Sequence, residues 1–543
     1  MFKENNKHLQ TSMLESTYWM NPGIRKKLEK SWASVFYEHV FCKIDEKPFA
    51  VLYSDTGRPG FPVNISLSLE FIKHMKNYSD DELIDAYYFN YLVNYAVGIR
   101  TLGELNLAEK TLYNFRSRIY QHLVKYPDQE DLIFGQFISL TRSFAQEAGI
   151  SMNEQRMDTT MFMSNIKKAG RLVLAYDVLE KAVKAIPEVN RPQELAKVLE
   201  EGFKTDTLYR SKPSENDSRL EKLLAMCLES QNVLEGIPQM HDCDELRILR
   251  RFLSEQAYIE AGTGHLKAKE NKDIATNSLQ SVYDEDATYR KKGTKGQSGY
   301  VLEISETCAK DNPFQLITDY KVDKNNKSDV EIIQNRLPKI CSNTGCTDLY
   351  VDGGFHSEDV VRLGNENHVD IHFTNLNGTE PHKKLPITAY KIDETTNVIT
   401  KCPKGVTPQH ASVKNGQTVA HFPLEACSNC ELRDQCHNKL QKRDSVVRIN
   451  LKSVETARQR ERVKSAKKEN TSKRAAIEGT NSALKRGHGL EKLLVRGKNR
   501  CTAVAGYKVI AQNIRRFTKF MLGGYRKAYP KPQCSGILVP ICG

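Results

Sequence analysis

Apolar residues recur at helical spacing through residues 62–125. Ser79-Asp80-Asp81-Glu82 reads as an N-cap followed by a carboxylate-rich first turn. It opens the run Leu83-Ile84-Asp85-Ala86-Tyr87-Tyr88-Phe89-Asn90-Tyr91-Leu92-Val93. After Gly103 a second run, from Leu107, ends in Arg116 and Arg118. Two helices about a glycine-bearing turn fit either a helix-turn-helix or a plain bundle used for dimerisation. Residues 61–150 are therefore expected to form a helical DNA-binding or dimerisation domain, with Arg116 and Arg118 as its DNA contacts. Residues 1–60, mixed in pattern and broken by Thr56-Gly57-Arg58-Pro59-Gly60, read as an N-terminal segment and linker.

The period changes to short alternation over 151–170, turns helical again over 171–280, and returns to strand character at Tyr300–Ser305 and Phe314–Tyr320. A helix is expected over Asp329–Leu337, then a strand running into Asp352, then a helix capped by Ser357. The order strand, strand, strand, helix, strand, helix predicts a mixed α/β layer interrupted by a helical insertion at 171–280. Sequence pattern assigns 151–170, 281–400 and 440–520 to that layer, 401–439 to a cysteine cluster and 521–543 to a C-terminal tail.

Composition adds little until charge is located. At 543 residues the chain exceeds one core. No apolar run approaches the ~18 residues of a membrane span, so no membrane partner is expected. The polar start, Met1-Phe2-Lys3-Glu4-Asn5-Asn6-Lys7, has no apolar leader-like region, so the protein is expected to stay in the compartment where it is made. The formal charge is +13, and residues 439–500 carry 19 Lys and Arg against 6 Asp and Glu, which is the whole excess. Such a concentration suits a phosphate backbone. A solvated basic tail is the alternative, but this segment also holds a helical, apolar-punctuated stretch around Glu478.

Three carboxylates stand out. Asp158 lies inside the strand-like Met157-Asp158-Thr159-Thr160-Met161-Phe162, where an acid is costly unless it is paired or binds a cation. Asp352 ends a strand and is followed by Gly353-Gly354, and ligands collect at such strand ends. Glu478 lies on the basic helix, with Arg474 and Lys485 at offsets that share its face. An Asp, Asp, Glu set on a rigid sheet is what two-metal phosphoryl transfer needs. Two Mg²⁺, or Mn²⁺, are expected at Asp158, Asp352 and Glu478, with Arg474 and Lys485 on phosphate. Asp284, Asp286, Asp319 and Asp348 read as loop or strand-edge acids.

Arg474-x3-Glu478-x6-Lys485 resembles the Tyr-Arg-Glu-Lys signature of bacterial insertion-sequence DDE transposases. The stretch from Ile477 through Lys485-Arg486-Gly487-His488-Gly489-Leu490 to Arg496-Gly497 is similar to their third catalytic block. Val351-Asp352-Gly353-Gly354-Phe355 is similar to the second and Met157-Asp158-Thr159-Thr160 to the first. The signature's Tyr falls at Thr471, and a further expected Tyr at Phe355. The resemblance spans most of 60–520. It implies an α/β RNase H-like catalytic domain with a helical insertion, preceded by an all-α N-terminal domain. It implies Asp158, Asp352 and Glu478 as catalytic residues and Arg474, Lys485, Arg486 and Arg496 as DNA contacts. It also implies double-stranded DNA as partner, both transposon ends and target, a homodimer in the synaptic complex, and a cytoplasmic, nucleoid-associated prokaryotic protein. A catalytically disabled DNA-binding descendant and a nuclease of the same fold are the alternatives.

Four of the 13 cysteines cluster. Cys427-x2-Cys430-x5-Cys436, with Cys402 upstream, suits a structural Zn²⁺ held by four thiolates. His437 and His421 are alternative fourth ligands, and reduced structural cysteines are the plainer reading.

Overall fold

The Ser79 hydroxyl accepts a hydrogen bond from Glu82 N at 3.1 Å, and the Glu82 carboxylate accepts one from Ser79 N at 2.7 Å. This capping box starts a helix where the sequence placed it. The computed structural model describes residues 1–10, 15–127, 129, 131–167, 169–210, 213–260, 266–292, 295–376 and 384–524. Most of the expected tail at 521–543 lies outside them. The helices used below are α1 (Val63–Lys76), α2 (Asp80–Phe89), α3 (Tyr91–Ala96), α4 (Glu109–Lys125), α5 (Leu132–Ala148), α6 (Arg171–Ala185), α7 (Asn216–Glu235), α8 (Asp244–Gln256), α9 (Asp329–Thr344), α10 (Glu358–Glu366), α11 (Leu451–Ala475), α12 (Ile477–Ser482) and α13 (Lys498–Met521). The strands are β1 (Glu154–Phe162), β2 (Thr288–Lys292), β3 (Lys295–Thr307), β4 (Ile317–Lys324), β5 (Asp348–Val351), β6 (Asp370–Phe373), β7 (His410–Lys414), β8 (Gln417–Pro423), β9 (Asn438–Leu440) and β10 (Asp444–Asn450). The chain is a mixed helix and sheet protein with a helical N-terminal region.

The chain divides into two units. The first comprises residues 1–152, 158–328 and 478–543. Its helical part is organised around α13, which packs on α1, α4, α5 and β4. Ala505, Val509, Ile510, Ile514 and Phe517 of α13 are buried, and Phe517 stacks on Phe144 with centroids 4.3 Å apart. A Cβ at Gly506 would drive into the Tyr320 hydroxyl, so the bare backbone lets α13 lie against β4. Residues 1–60 are no linker. They contribute the helices Pro22–Glu29 and Trp32–His39 and bury Phe36, Phe41 and Phe49 completely or nearly so, because their aromatic side chains have more apolar area than a linker can leave in water. Residues 97–108 separate α3 from α4, too many for the three- to four-residue turn of a helix-turn-helix. The helices α6, α7 and α8 enclose their own core of Leu174, Leu179, Val183, Leu220, Leu224, Leu249 and Phe252. β3 pairs antiparallel with β2 and β4.

The second unit comprises residues 153–157 and 329–477. Here the first residues of β1 pair in parallel with β5, Glu154 opposite Asp348 and Arg156 opposite Tyr350. β5 pairs in parallel with β6 through the crossover helix α10, the βαβ arrangement that parallel strands require. Ser357 Oγ accepts from Val360 N at 3.1 Å and caps α10 as expected. Residues 410–450 form a four-stranded antiparallel sheet ordered β7-β8-β10-β9, which the sequence reading did not contain. α11 then follows, capped by Asn450, and only Val454 and Asn470 of its 25 residues are buried. A helix polar nearly all round turns most of its surface to solvent.

Candidate active site

In the first unit Asp158 sits inside β1, 8% exposed, between the fully buried Met157 and the apolar Met161-Phe162. An acid so placed needs a donor. Asn481 supplies one, its Nδ2 donating to Asp158 Oδ2 at 3.1 Å. Asn481 belongs to α12, whose buried positions Ile477, Thr480 and Asn481, with Leu484 beyond its end, follow helical spacing. Glu478 lies in the first turn of α12 and is exposed. Thr480 Oγ1 donates to Glu306 Oε2 at 2.7 Å, and Glu306 on β3 has no exposure at all. Arg516 of α13 pairs with that carboxylate at 3.0 Å and donates to the Gln315 carbonyl at 3.1 Å and to Thr480 Oγ1. β3, α12 and α13 are thus tied by one buried polar network.

In the second unit Asp352 follows β5 and caps a short turn, its Oδ1 accepting from Gly354 N at 2.7 Å. A Cβ on Gly354 would stand 2.9 Å from that oxygen and 3.1 Å from Asp329 Oδ2, so glycine keeps the approach to Asp352 clear. Arg474 Nη2 lies 3.6 Å from Asp352 Oδ2. The end of α11 is anchored by Lys473, whose Nζ donates to Glu154 Oε2 at 2.6 Å and Tyr350 OH at 2.8 Å. Arg156 donates to the Lys473 carbonyl at 2.9 Å. Burial alone would lower the Lys473 pKa, but its bonds to Glu154 and Tyr350 outweigh that and raise it.

The continuous helix expected to carry Arg474, Glu478 and Lys485 on one face is not formed. α11 ends at Ala475, α12 ends at Ser482, and a wider π-type turn follows over Ala483–Gly487 that holds Lys485 and Arg486. Each change of helical pitch shifts the angular phase, so the spacing argument fails beyond Glu478. Arg474 has Asp352 as a partner. Arg116, expected on DNA, is committed to Glu70 and Asp80, both at 2.7 Å. Arg118 lies over the Tyr53 ring, and Arg496 lies over Tyr283 and donates to the Asn165 carbonyl at 2.8 Å. Asp319 and Asp284 are buried, and Asp284 accepts from Tyr300 OH at 2.6 Å and from Ser164. Asp348 pairs with His372 at 2.9 Å.

Cys402, Cys427, Cys430 and Cys436 line one cavity of about 30 Å³, with Tyr390 OH 2.9 Å from Cys436 Sγ. Burial, reinforced by the neighbouring thiols, raises the Cys427 pKa. His421 is bonded to Asp444 at 2.6 Å and His437 to the Leu385 carbonyl at 2.9 Å, so each alternative ligand has another partner. Among the described residues no group of three or more His, Cys, Asp or Glu side chains stands ready, as placed, to hold a metal ion.

Two family models match the chain. One, described as a transposase DDE domain, covers residues 401–518 and so includes Glu478, Asn481 and Lys485. The other, described as Transposase domain (DUF772), covers residues 26–118 of the helical region. Both matched regions of the chain are thus similar to transposase domains. No curated protein and no solved structure matches it. No helix among the described residues is long and apolar enough to cross a membrane. The residues around the candidate site that the sequence reading missed are Asn481, Thr480, Glu306, Arg516, Lys473 and Arg156. Only Asn481 and Thr480 lay within the motif, where their buried helical spacing with Ile477 and Leu484 was a usable signal.

Proposed function

We propose that this protein is a transposase that cleaves DNA at the ends of its insertion sequence and joins the freed 3′ ends to target DNA, with Asp158, Asp352 and Glu478 as the catalytic carboxylates. The carrying observation is the bond from Asn481 to Asp158, which ties a buried strand acid to the helix that bears Glu478. An RNase H-like catalytic fold fits the antiparallel strands β2, β3 and β4 in one unit and the parallel β1, β5 and β6 in the other. The three carboxylates would hold two Mg²⁺ or Mn²⁺ ions, which supply charge neutralisation and a nucleophile at neutral pH when bound. Arg474 brings positive charge beside Asp352. The exposed cations of α11, with Lys485, Arg486 and Arg496, bind the phosphate backbone on the path to the carboxylates. Arg116 and Arg118 would add DNA contacts from the helical region, Arg116 while paired with Glu70 and Asp80. Two ends must be cut and joined together, so a homodimer is the working form, acting in the nucleoid on both the element ends and target DNA.

The decisive experiment is Mg²⁺- or Mn²⁺-dependent cleavage and joining of labelled DNA carrying the element's ends, with wild type beside Asp352→Asn. Cleavage and joining that vanish in the variant support the proposal. Binding without cleavage under either metal identifies a disabled DNA-binding descendant, and cleavage without joining a nuclease.

The same proposal places a structural Zn²⁺ at Cys402, Cys427, Cys430 and Cys436. Its support is their convergence on one cavity with Tyr390 OH against Cys436. Purified full-length protein should carry about one zinc per chain by elemental analysis, and Cys427→Ser should lose it. Zinc-free, stably folded wild type leaves the four as reduced structural cysteines.

A further inference from the structure

The turn over Ala483–Gly487 is clasped at its end by two helices. Asn77, just past α1, donates its Nδ2 to the Gly487 carbonyl at 2.6 Å. His488 has no exposure. Its Nδ1 donates to the His74 carbonyl of α1 at 2.8 Å, and its Nε2 lies 2.9 Å from the Gln512 side-chain amide. Lys508 donates to the His488 carbonyl. Lys508, Gln512 and Arg515 stand at i, i+4 and i+7 on α13, so one stripe of that helix faces the clasp. Arg515 is its outermost member, and a Cβ on Gly487 would stand 3.9 Å from Arg515 Nη1.

The clasp gathers cations. Lys76 precedes Asn77, Arg486 precedes Gly487, and Arg515 lies against that same glycine. All three are exposed, and among the described residues none of them has an ion-pair partner. The acids that open α2 are engaged elsewhere, Asp80 by Lys73 and Arg116 and Glu82 by Ser79 N. The Lys76 ammonium sits 4.4 Å from the centroid of the Trp32 ring, which displaces part of its water. Burial and the charge of Arg515 lower its pKa, with no carboxylate offsetting them. The dipole at the C-terminal end of α1 favours a lysine there, but it does not account for Arg515, whose own helix runs on to Met521. Like charges held this way repel, and an anion between them relieves the repulsion.

We propose that Lys76 and Arg515 bind backbone phosphates of duplex DNA, extending the Arg486 contact from the turn onto α1 and α13. This rests on the DNA reading of Arg486 above. Phosphate contacts fix the register of a duplex without reading its bases, so this face would hold the DNA at a set position against the Ala483–Gly487 turn.

The test is fluorescence anisotropy of labelled duplex DNA with the full-length chain, without added divalent metal, from low to high salt. One duplex carries the element's ends and the other has random sequence. Lys76→Gln, Arg515→Gln and the double variant are compared with wild type and with Lys222→Gln, which removes an exposed charge on α7. The slope of log Kd against log salt should be shallower by about 1 in each single variant and by about 2 in the double. The change should be equal on both duplexes, with circular dichroism unaltered. Wild-type slopes in the folded variants, or a change that Lys222→Gln reproduces, overturn the proposal and leave the carboxylate reading standing. A loss confined to the element's ends also overturns it, since a phosphate contact is blind to sequence. Wild type that binds neither duplex overturns it together with the DNA reading of Arg486.

Discussion

Arg516→Met tests the network that holds α12. Methionine keeps much of the apolar stem of arginine but removes the guanidinium from Glu306, from the Gln315 carbonyl and from Thr480. Glu306 has no solvent exposure and the Arg516 side chain has 17%, so water cannot replace the lost partner. Removing one partner of a buried ion pair costs about 3–5 kcal/mol. Replacing both partners by apolar groups is often neutral or better, so Glu306→Leu with Arg516→Met should recover most of that loss. The assay is equilibrium urea unfolding followed by circular dichroism, for wild type, both single variants and the double. A coupling energy of about 2 kcal/mol or more is expected, and a melting temperature for Arg516→Met lower by on the order of 10 °C at about 2–4 °C per kcal/mol. A cost below about 1 kcal/mol for Arg516→Met, or a double variant as unstable as the sum of the singles, would refute the reasoning.

Three further outcomes follow from the same packing. Burial, with Lys73 nearby, lowers the Lys508 pKa from 10.5 to about 8. Between those values the unfolded chain keeps a proton that the folded chain gives up, so this group's contribution to stability rises with pH. Wild type should gain about 2 kcal/mol over Lys508→Met between pH 7 and 9.5, read from urea midpoints at each pH, and parallel midpoints would contradict the burial argument. Gly506→Ala should cost about 1–3 kcal/mol through overpacking against Tyr320, and Tyr320→Phe should suppress part of it in a thermal melt, whereas no suppression would place the clash elsewhere. Ser79→Ala should cost about 1 kcal/mol by opening the capping box, and no change in hydrogen exchange at the start of α2 would count against that cap.

What the sequence determined by itself was local. The capping box at Ser79, the strands carrying Asp158 and leading to Asp352, the Ser357-capped helix and the helices of 171–256 all rest on neighbours within a few residues. Short-range propensity and periodicity therefore sufficed. The strand character of Met157–Phe162 and the anomaly of an acid within it were legible for the same reason. What only the tertiary structure decided involves partners distant in sequence. Asn481 meets Asp158 across 323 positions and Arg516 meets Glu306 across 210, and no periodicity encodes such pairings. The π-type turn over Ala483–Gly487 likewise has no signal in the local periodicity. The uniform 3.6-residue pitch assumed in placing Lys485 does not hold through that turn. Arg116 looked like a DNA contact because sequence shows its charge. Only the fold shows that Glu70 and Asp80 lie 2.7 Å from that charge.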